Sequence, residues 1–212
     1  NTEMTETTKP ASIGRVELNE DGSATLRLRN VRLSFPHLFT PREQKSDDGT
    51  ATKKTYQASL LLPIEGDPNE NLKNAKAAVM HCIKVGLKGK NPGSERVCLR
   101  SGASKGEQGL EGYDETMFFL SASSKDKPVT VDRSKRNGEF VELKEEDGKL
   151  YGGCFVNATV RLWAQDNKFG KRVNAQLKAV QFYADGEPFG APRVKAENEF
   201  GDVEEAPVDE LG

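Results

Sequence analysis

VNATVRLW, residues 156–163, is the most regular stretch of the chain, because its side chains alternate between two faces without interruption. The apolar face carries Val156, Ala158, Val160 and Leu162, and the opposite face carries Asn157, Thr159, Arg161 and Trp163. Successive side chains of a β-strand point to opposite faces, so this period of two predicts a half-buried strand. Residues 173–183 predict a returning strand, and residues 164–172 predict the tip of the resulting hairpin.

Three longer strands are predicted before this hairpin. Residues 24–35 alternate with one slip of phase, which indicates a β-bulge, and Pro36 is expected to end the strand. Residues 56–62 place an apolar or aromatic side chain at every second position. Residues 115–122 contain four apolar side chains in succession, which is typical of a strand with both faces covered.

One helix is predicted between the second and third of these strands. Asp67 is expected at the N-cap and Pro68 at the first helical position, and Glu70 completes a capping box. An apolar stripe then recurs at steps of three and four residues, which predicts a helix packed against a core. The stripe consists of Leu72, Ala75, Ala78, Val79, Ile83 and Leu87.

Polar and glycine-rich segments connect these elements. Residues 37–54 form a predicted loop with four Lys or Arg side chains, and residues 88–114 predict a surface insertion. Within residues 123–153, a short strand is expected at residues 129–132 and a turn at Asn137-Gly138. Together, the elements predict an α+β fold that is mainly β: an OB-type five-stranded barrel with one helix and long loop insertions.

The charge of the chain is unevenly distributed. Its 31 Lys and Arg residues and 33 Asp and Glu residues give a net charge of -2. Residues 197–212 contain seven of the acidic residues and no basic one, so the chain before them carries a charge of +5. A basic body is expected where a protein attracts a polyanion. We therefore predict a flexible N-terminus (residues 1–12), a binding domain (residues 13–196) and a disordered acidic tail (residues 197–212).

The acidic tail also contains apolar side chains among its carboxylates. This combination makes it a candidate docking segment for a protein partner. The candidate partner-binding residues are Phe200, Asp202, Glu204, Glu205, Asp209, Glu210 and Leu211. The alternative is a frayed terminus that only improves solubility.

Few catalytic or metal-binding motifs are available. The sequence contains no GxxxxGK[ST] and no HExxH motif, and its two histidines offer few general bases. The three cysteines are never spaced as CxxC, which argues against a zinc ribbon or a disulfide framework. No stretch approaches the ~20 apolar residues of a membrane span. We therefore expect a soluble, cytoplasmic binding protein without enzymatic activity, cofactor, metal or membrane partner.

Aromatic rings interleaved with basic side chains are the main functional signal. Rings stack on unpaired bases and cations neutralise phosphates, which is how proteins bind single strands without sequence preference. The candidate DNA-binding residues lie on the first long loop, around the third strand and on the terminal hairpin. They are Phe39, Arg42, Lys53, Lys54, Tyr56, Tyr113, Arg133, Arg161, Trp163, Lys168, Phe169, Lys171 and Arg172.

Two of these rings have an alternative structural role. Trp163 faces outward with Arg161 if the apolar face of residues 156–163 is buried, but it is equally compatible with a second small core. Tyr113 is either a stacking platform or a lid on the end of the barrel. Phe169 lies at the hairpin tip, where little core is available, and this position favours binding.

Five stretches between residues 24 and 190 stand out as motifs. They are NVRLSFPHLF (30–39), KTYQASLLLP (54–63), FFLSASS (118–124) followed by Val131-Asp132-Arg133, LYGGCFVN (150–157) and the closing stretch 176–190. In this order they resemble the tailed-phage family of OB-fold single-stranded-DNA-binding proteins. The resemblance implies a protein that coats transient single strands in the cytoplasm of an infected bacterial host. The chain departs from proteins of this kind at Leu211-Gly212, where an aromatic residue is often the last.

Residues and resemblance together predict a single-stranded-DNA-binding protein of DNA replication or recombination. Its expected partners are single-stranded DNA and, through the acidic tail, replication or recombination proteins. The alternative from another class is a structural or adaptor protein whose basic and apolar surface contacts a protein partner. A nuclease is the third hypothesis, and a homo-oligomer is compatible with all three.

Overall fold

Nine β-strands and two α-helices form the part of the chain that the computed structural model describes, residues 16–46 and 48–190. The strands are β1 (Val16–Leu18), β2 (Ala24–Lys45), β3 (Thr52–Pro63), β4 (Leu99–Ser101), β5 (Met117–Ser124), β6 (Val129–Arg136), β7 (Glu139–Glu142), β8 (Phe155–Asn167) and β9 (Gly170–Ala184). The helices are α1 (Asn71–His81), which continues into a π-helical turn at Cys82–Gly86, and the short α2 (Ala103–Glu107). The predicted N-terminal segment and the acidic tail, residues 1–12 and 197–212, lie outside the described residues.

Five of the strands close into a barrel. β2 pairs with β3, β3 with β5, β2 with β8, and β8 with β9, all antiparallel. The barrel closes where β5 runs parallel to β9, at the pair Ser123 and Gln176. The first barrel strand therefore lies between the second and the fourth, and the third lies beside the fifth, as in an OB fold. The predicted fold, an OB-type barrel that is mainly β with one principal helix, is confirmed.

β2 is long because irregularities in its ladder let it bend around the barrel. Asn30 and Phe35 adopt positive φ angles of 54° and 46°, and the pairing register shifts near both residues. The predicted slip of phase within residues 24–35 is thus confirmed as a bulge. The predicted end at Pro36 is wrong. Pro36 lies in an interrupted part of the ladder, where its missing N–H costs no hydrogen bond.

The predicted loop at residues 37–54 is largely a two-stranded ribbon. The end of β2 and the start of β3 pair from Arg42 opposite Thr55 to Lys45 opposite Thr52. Both faces of this ribbon are mainly polar, so its backbone pairing leaves no hydrophobic period in the sequence. The ribbon extends beyond the barrel and carries its basic side chains with it.

Helix α1 packs against the barrel through its predicted apolar stripe. The buried apolar residues are Leu72, Ala75, Ala78 and Val79. The helix begins at Asn71, later than expected, because the Asp67 carboxylate accepts hydrogen bonds from the backbone N–H groups of Asn69 and Asn71, both at 2.9 Å. The buried Asn71 amide also bonds both backbone polar groups of Arg29 and so fixes the helix to the β2 bulge. With 11 residues, α1 is the longest helix described, and no helix in this part of the chain is suited to cross a membrane.

Two hydrophobic cores hold these elements together. The main core fills the barrel and includes Leu26, Leu60, Leu120, Leu162 and Leu177. A smaller core of Leu61, Tyr113 and Phe119 lies on the outer face of β3 and β5. The predicted surface insertion, residues 88–114, contains β4 and α2. Its Leu99 belongs to the main core and its Tyr113 to the second core, so part of the insertion is packed structure.

Candidate nucleic-acid interface

A groove of about 740 Å³ lies where the β8–β9 hairpin extends past the closure between β5 and β9. Its walls come from the first residues of β3, the segment before β4, and the facing ends of β8 and β9. The backbone N–H of Cys98 donates to the carbonyl of Val173 at 2.9 Å, which holds the segment before β4 beside β9. The groove is therefore built on the outside of a barrel whose interior is filled by side chains.

Small polar side chains form the floor of the groove. Ser121 and Ser123 point outward from β5 into it, whereas Leu120 and Ala122, which alternate with them, belong to the main core. Gln176 extends the floor from the β9 side of the barrel closure. Hydroxyl and amide groups of this size leave room for nucleotides above them and can hydrogen-bond to sugars and phosphates.

The groove is strongly basic. Its lining includes the acidic residues Glu95 and Asp126 against six basic residues. The basic residues are Lys53, Arg96, Arg100, Lys125, Arg161 and Arg172. Within the described chain only Arg161 of these six forms an ion pair, with its Nη2 3.7 Å from Oδ2 of Asp21. The other five cations can neutralise phosphates without first losing a carboxylate partner.

Arg161 contributes to a local network at the end of the barrel. Hydrogen bonds from Ser23, followed by the nearby Arg161 charge, hold the pKa of Asp21 below its usual value. Asp21 is exposed and lies in the connection between β1 and β2. The pair is therefore a solvent-screened contact, and it leaves Arg161 available to a stronger anion.

Two aromatic rings face this basic surface. Trp163 is half-buried and lies opposite Asn174 in the β8–β9 ladder. Phe169 occupies the hairpin tip, with 60% of its surface exposed. The Lys168 ammonium lies 5.0 Å from the centre of the Phe169 ring. Rings in these positions can stack on unpaired bases.

Seven of the thirteen predicted DNA-binding residues are at this surface. Those that line the groove are Lys53, Arg161, Trp163, Phe169 and Arg172. Arg42 pairs with the lining residue Thr55 and so lies on the same face of the ribbon. Lys168 neighbours Phe169 at the hairpin tip. Their contact with DNA stays a prediction, but the fold brings the first ribbon and the terminal hairpin to one surface.

Two predicted residues of β3 point away from the groove. Lys54 follows Lys53 on the opposite face of the ribbon, and its Nζ lies 3.2 Å from Oε1 of Glu43. Tyr56 is half-buried and shares the strand face of Leu60, which points into the barrel. Successive residues of a strand point to opposite faces, so Lys53 faces the groove whereas Lys54 and Tyr56 face away from it.

Lys171 and Arg133 are also separated from the groove. Lys171 alternates with Arg172 along β9, and its Nζ lies 3.0 Å from Oδ1 of Asp166. Arg133 lies on β6, and its Nη1 donates a hydrogen bond of 2.9 Å to the carbonyl of Tyr183 at the opposite end of β9. Neither residue lines the groove.

Phe39 lies beside a different and smaller pocket. This pocket has a volume of about 180 Å³ and is lined by residues 36–40 together with Glu145, Gly148 and Leu150. The Lys127 ammonium lies 5.3 Å from the centre of the Phe39 ring. A ring and a cation do meet here, but the cation comes from the turn after β5 and not from Arg42.

The prediction of Tyr113 as a stacking platform is corrected by the structure. Tyr113 is only 4% exposed, and its ring packs edge-on against Phe119 with 5.4 Å between the ring centres. Its hydroxyl donates a hydrogen bond of 3.0 Å to the hydroxyl of Ser34. A ring packed into the second core has no free face for a base. Tyr113 is therefore a structural residue.

Three basic residues of the groove escaped the sequence interpretation. Arg96, Arg100 and Lys125 stand apart from aromatic residues in the sequence, so the pattern of rings beside cations does not include them. Arg96 reaches the hairpin tip, where its Nη1 donates to the carbonyl of Phe169 at 3.4 Å. Only the tertiary fold brings these side chains beside the predicted ones.

The groove wall contains one thiol, that of Cys98. Burial raises the pKa of the Cys98 thiol to about 12, which keeps the thiol protonated at neutral pH. The stretch GASKG (102–106) matches a GxSxG pattern, but His37 lines the smaller pocket and His81 contacts the carbonyl of Asn19 at 2.6 Å. In residues 16–46 and 48–190, no group of three His, Cys, Asp or Glu side chains is placed to hold a metal ion.

Comparisons with known proteins point to one family. A family model described as "Enterobacter phage Enc34, ssDNA-binding protein" matches residues 24–211. A protein of Acyrthosiphon pisum secondary endosymbiont phage 1, named putative protein p50, is 38% identical over 197 residues, which cover 88% of this chain and 97% of the relative. The match extends over nearly the full length of both proteins.

Two solved structures of one phage protein have a similar fold. The single-stranded DNA-binding protein from bacteriophage Enc34 in complex with ssDNA is 27% identical, with a TM-score of 0.63, and the match covers 88% of this chain and 100% of the other. A C-terminal truncation of the Enc34 protein is 25% identical, with a TM-score of 0.62, and the match covers 84% of this chain and 95% of the other.

Proposed function

Since the chain belongs to the family of the Enterobacter phage Enc34 single-stranded-DNA-binding protein, we propose that it binds single-stranded DNA without sequence preference in the basic groove. The composition of the groove carries the proposal: six cations and two aromatic rings surround a polar floor. Cations neutralise the phosphates of any sequence, and rings stack on any base. Such a site is suited to coating a strand.

The proposed contact residues are those that the fold gathers at the groove. They are Arg42, Lys53, Arg96, Arg100, Lys125, Arg161, Trp163, Lys168, Phe169 and Arg172. The β8–β9 hairpin and the β2–β3 ribbon supply most of them. These are the two hairpins whose loops an OB fold commonly uses for oligonucleotides.

A titration of fluorescently labelled oligonucleotides tests the proposal. Single strands of about 4 to 16 nucleotides span the usual site sizes of OB folds. We expect the protein to prefer single strands to a duplex competitor, because stacking requires unpaired bases. The logarithm of the binding constant should fall with the logarithm of salt by about 0.7 per phosphate contacted. Equal affinity for duplex and single strand contradicts the proposal, and affinity for neither favours the adaptor alternative.

We further propose that the protein acts in DNA replication or recombination in the cytoplasm of the infected host, with the acidic tail competing with DNA and recruiting a protein partner. The charge distribution supports competition, because the seven carboxylates of residues 197–212 follow a body of charge +5. The candidate partner contacts Phe200 and Leu211 add apolar surface to this segment. These residues lie outside the described part of the chain.

Two tail variants separate competition from recruitment. Deletion of residues 197–212 should tighten single-strand binding at low salt, and the gain should shrink as salt screens the charges. Replacement of Phe200 and Leu211 by Ala keeps every charge, so it should leave DNA affinity unchanged and weaken capture of replication proteins. If the deletion leaves DNA affinity at low salt unchanged, the tail does not compete with DNA. If the double variant still captures replication proteins, Phe200 and Leu211 do not contact the partner.

A further inference from the structure

Phe119, in the second core, carries two basic side chains over its ring. The guanidinium carbon of Arg100 lies 5.1 Å from the ring centre, and the Lys105 ammonium lies 4.9 Å from it. Arg100 pairs with Phe119 in the β4–β5 ladder, whereas Lys105 reaches the ring from α2. In the described chain neither cation has a carboxylate within ion-pair distance.

The position of Lys105 is set by close backbone packing. A Cβ atom at Gly106 would lie 2.4 Å from the carbonyl oxygen of Tyr113, and one at Gly102 would lie 2.8 Å from that of Met117. Only glycine at these positions lets α2 approach the neighbouring backbone so closely. Lys105 also lies 5.5 Å from the centre of the Tyr113 ring. Its half-buried side chain is thus held in place by the fold, unlike an ordinary surface lysine.

The two cations repel each other. Burial, and after it the Arg100 charge, lowers the pKa of Lys105 below its usual value. The face of an aromatic ring attracts a cation, but a neutral ring cannot compensate two positive charges. An anion placed beside both side chains would relieve this repulsion and favour the charged form of Lys105.

The pair lies next to the groove. Arg100 itself lines the groove, together with Ser121 on the floor. Phe119 and Ser121 are two residues apart on the same face of β5, a distance of about 7 Å along a strand. Arg100 and Lys105 therefore continue the basic surface from the floor of the groove towards the β4 edge of the sheet.

We propose that Arg100 and Lys105 together bind a phosphate of the single strand where it leaves the groove across β4. This inference rests on the proposed function and extends the path of the DNA beyond the groove. The ligand is a phosphodiester, because the site offers two cations and the Phe119 ring beneath them is only 2% exposed, so the ring has no free face for a base. A strand long enough to fill the groove and continue past Arg100 is required to reach Lys105.

Lys105→Gln tests the site, because it removes the charge and keeps a polar side chain of similar shape. Oligothymidylates of about 4 to 16 nucleotides are titrated against the full chain. We expect short oligonucleotides to bind the variant and the unaltered protein equally. For long ones the variant should bind about two- to fivefold more weakly at moderate salt, and its salt slope should be smaller by about 0.7.

Two further variants control the experiment. Lys73→Gln makes the same charge change on α1, where Lys73 is exposed, pairs with Glu70 at 3.6 Å and lies outside the groove lining. It should leave both affinity and salt slope unchanged. Lys105→Arg keeps the charge and should bind long oligonucleotides like the unaltered chain. Thermal melting of each variant checks that the second core is intact.

The outcomes separate this inference from the proposed function. If the unaltered protein binds no single strand, the proposed function fails. If it binds, and Lys105→Gln has the same affinity and slope at every length, only the phosphate site is excluded. A loss that is equal for short and long strands, or a loss that Lys105→Arg shares, contradicts the placement of a phosphate site at the end of the groove.

Discussion

Phe169 and Tyr113 are both aromatic residues with a lysine near the ring and a glycine beside them in sequence, but the fold uses them in opposite ways. Phe169 is 60% exposed and Tyr113 is 4% exposed. The hairpin that carries Phe169 extends past the barrel. Arg96 reaches the backbone carbonyl of Phe169, and the ring itself stays mostly exposed. Tyr113 follows a segment laid over the outer face of β3 and β5, where Leu61 and Phe119 require cover. What lies beside a ring in the fold, and not its sequence neighbours, decides its role.

Replacing the buried Tyr113 should lower the stability of the protein more than replacing the exposed Phe169. Tyr113→Ala leaves a cavity against Leu61 and Phe119, and a buried aromatic residue truncated to Ala typically costs about 3–5 kcal/mol of unfolding free energy. Tyr113→Phe keeps the packing and removes only the hydrogen bond to Ser34, which should cost about 1 kcal/mol. Urea denaturation followed by tryptophan fluorescence measures both.

The Tyr113 variants should change stability without changing DNA affinity. Tyr113→Phe should bind single strands with unchanged affinity, because its hydroxyl faces Ser34 inside the protein. If Tyr113→Phe remains as stable as the unaltered chain but loses affinity, the hydroxyl contacts the DNA and the assignment of Tyr113 to the second core is wrong.

The barrel strands could be predicted from the sequence, because apolar side chains recur at every second position along them. The strictly alternating stretch 156–163 became the centre of β8, and one slip within residues 24–35 became a bulge. The sequence predicts a loop where the β2–β3 ribbon lies, because polar side chains on both faces give no hydrophobic period. The start of α1 was misplaced because the Asp67 carboxylate caps a turn before the helix as well as the helix.

Replacing the exposed Phe169 should affect DNA binding more than stability. Phe169→Ala should weaken single-strand binding by about 1–3 kcal/mol if a base stacks on the ring. Its melting temperature should change little, because the side chain belongs to neither hydrophobic core of the described residues. Fluorescence anisotropy and thermal melting of the same preparation measure the two effects.

Trp163 provides the intermediate case. It lines the groove but is half-buried, so Trp163→Ala should lose both affinity and some stability. Trp163→Phe keeps an aromatic face and should recover most of the affinity. Loss of stability with no loss of affinity in Trp163→Ala would assign the ring to packing alone, as Tyr113 is assigned here.

The candidate site was predictable only in part, because strand periodicity divides neighbours in sequence between opposite faces. Lys53 and Lys54 illustrate this, since the first lines the groove and the second pairs with Glu43. Arg96 and Arg100 illustrate the reverse case. They come from the glycine-rich insertion and reach the groove through tertiary contacts that no local pattern in the sequence encodes.

Lys171 and Arg172 sharpen the comparison to two adjacent residues and should give the smallest effect. Arg172 lines the groove, whereas Lys171 lies on the other face of β9 and pairs with Asp166. Arg172→Gln should therefore lower the salt slope of single-strand binding by about 0.7, the value for one phosphate. Lys171→Gln removes the same charge about 3 Å further along the strand and should leave the slope unchanged. Because both variants alter the net charge equally, a purely long-range attraction predicts equal losses. Equal slopes for the two variants would mean that the whole basic body, and not the groove face, attracts the strand.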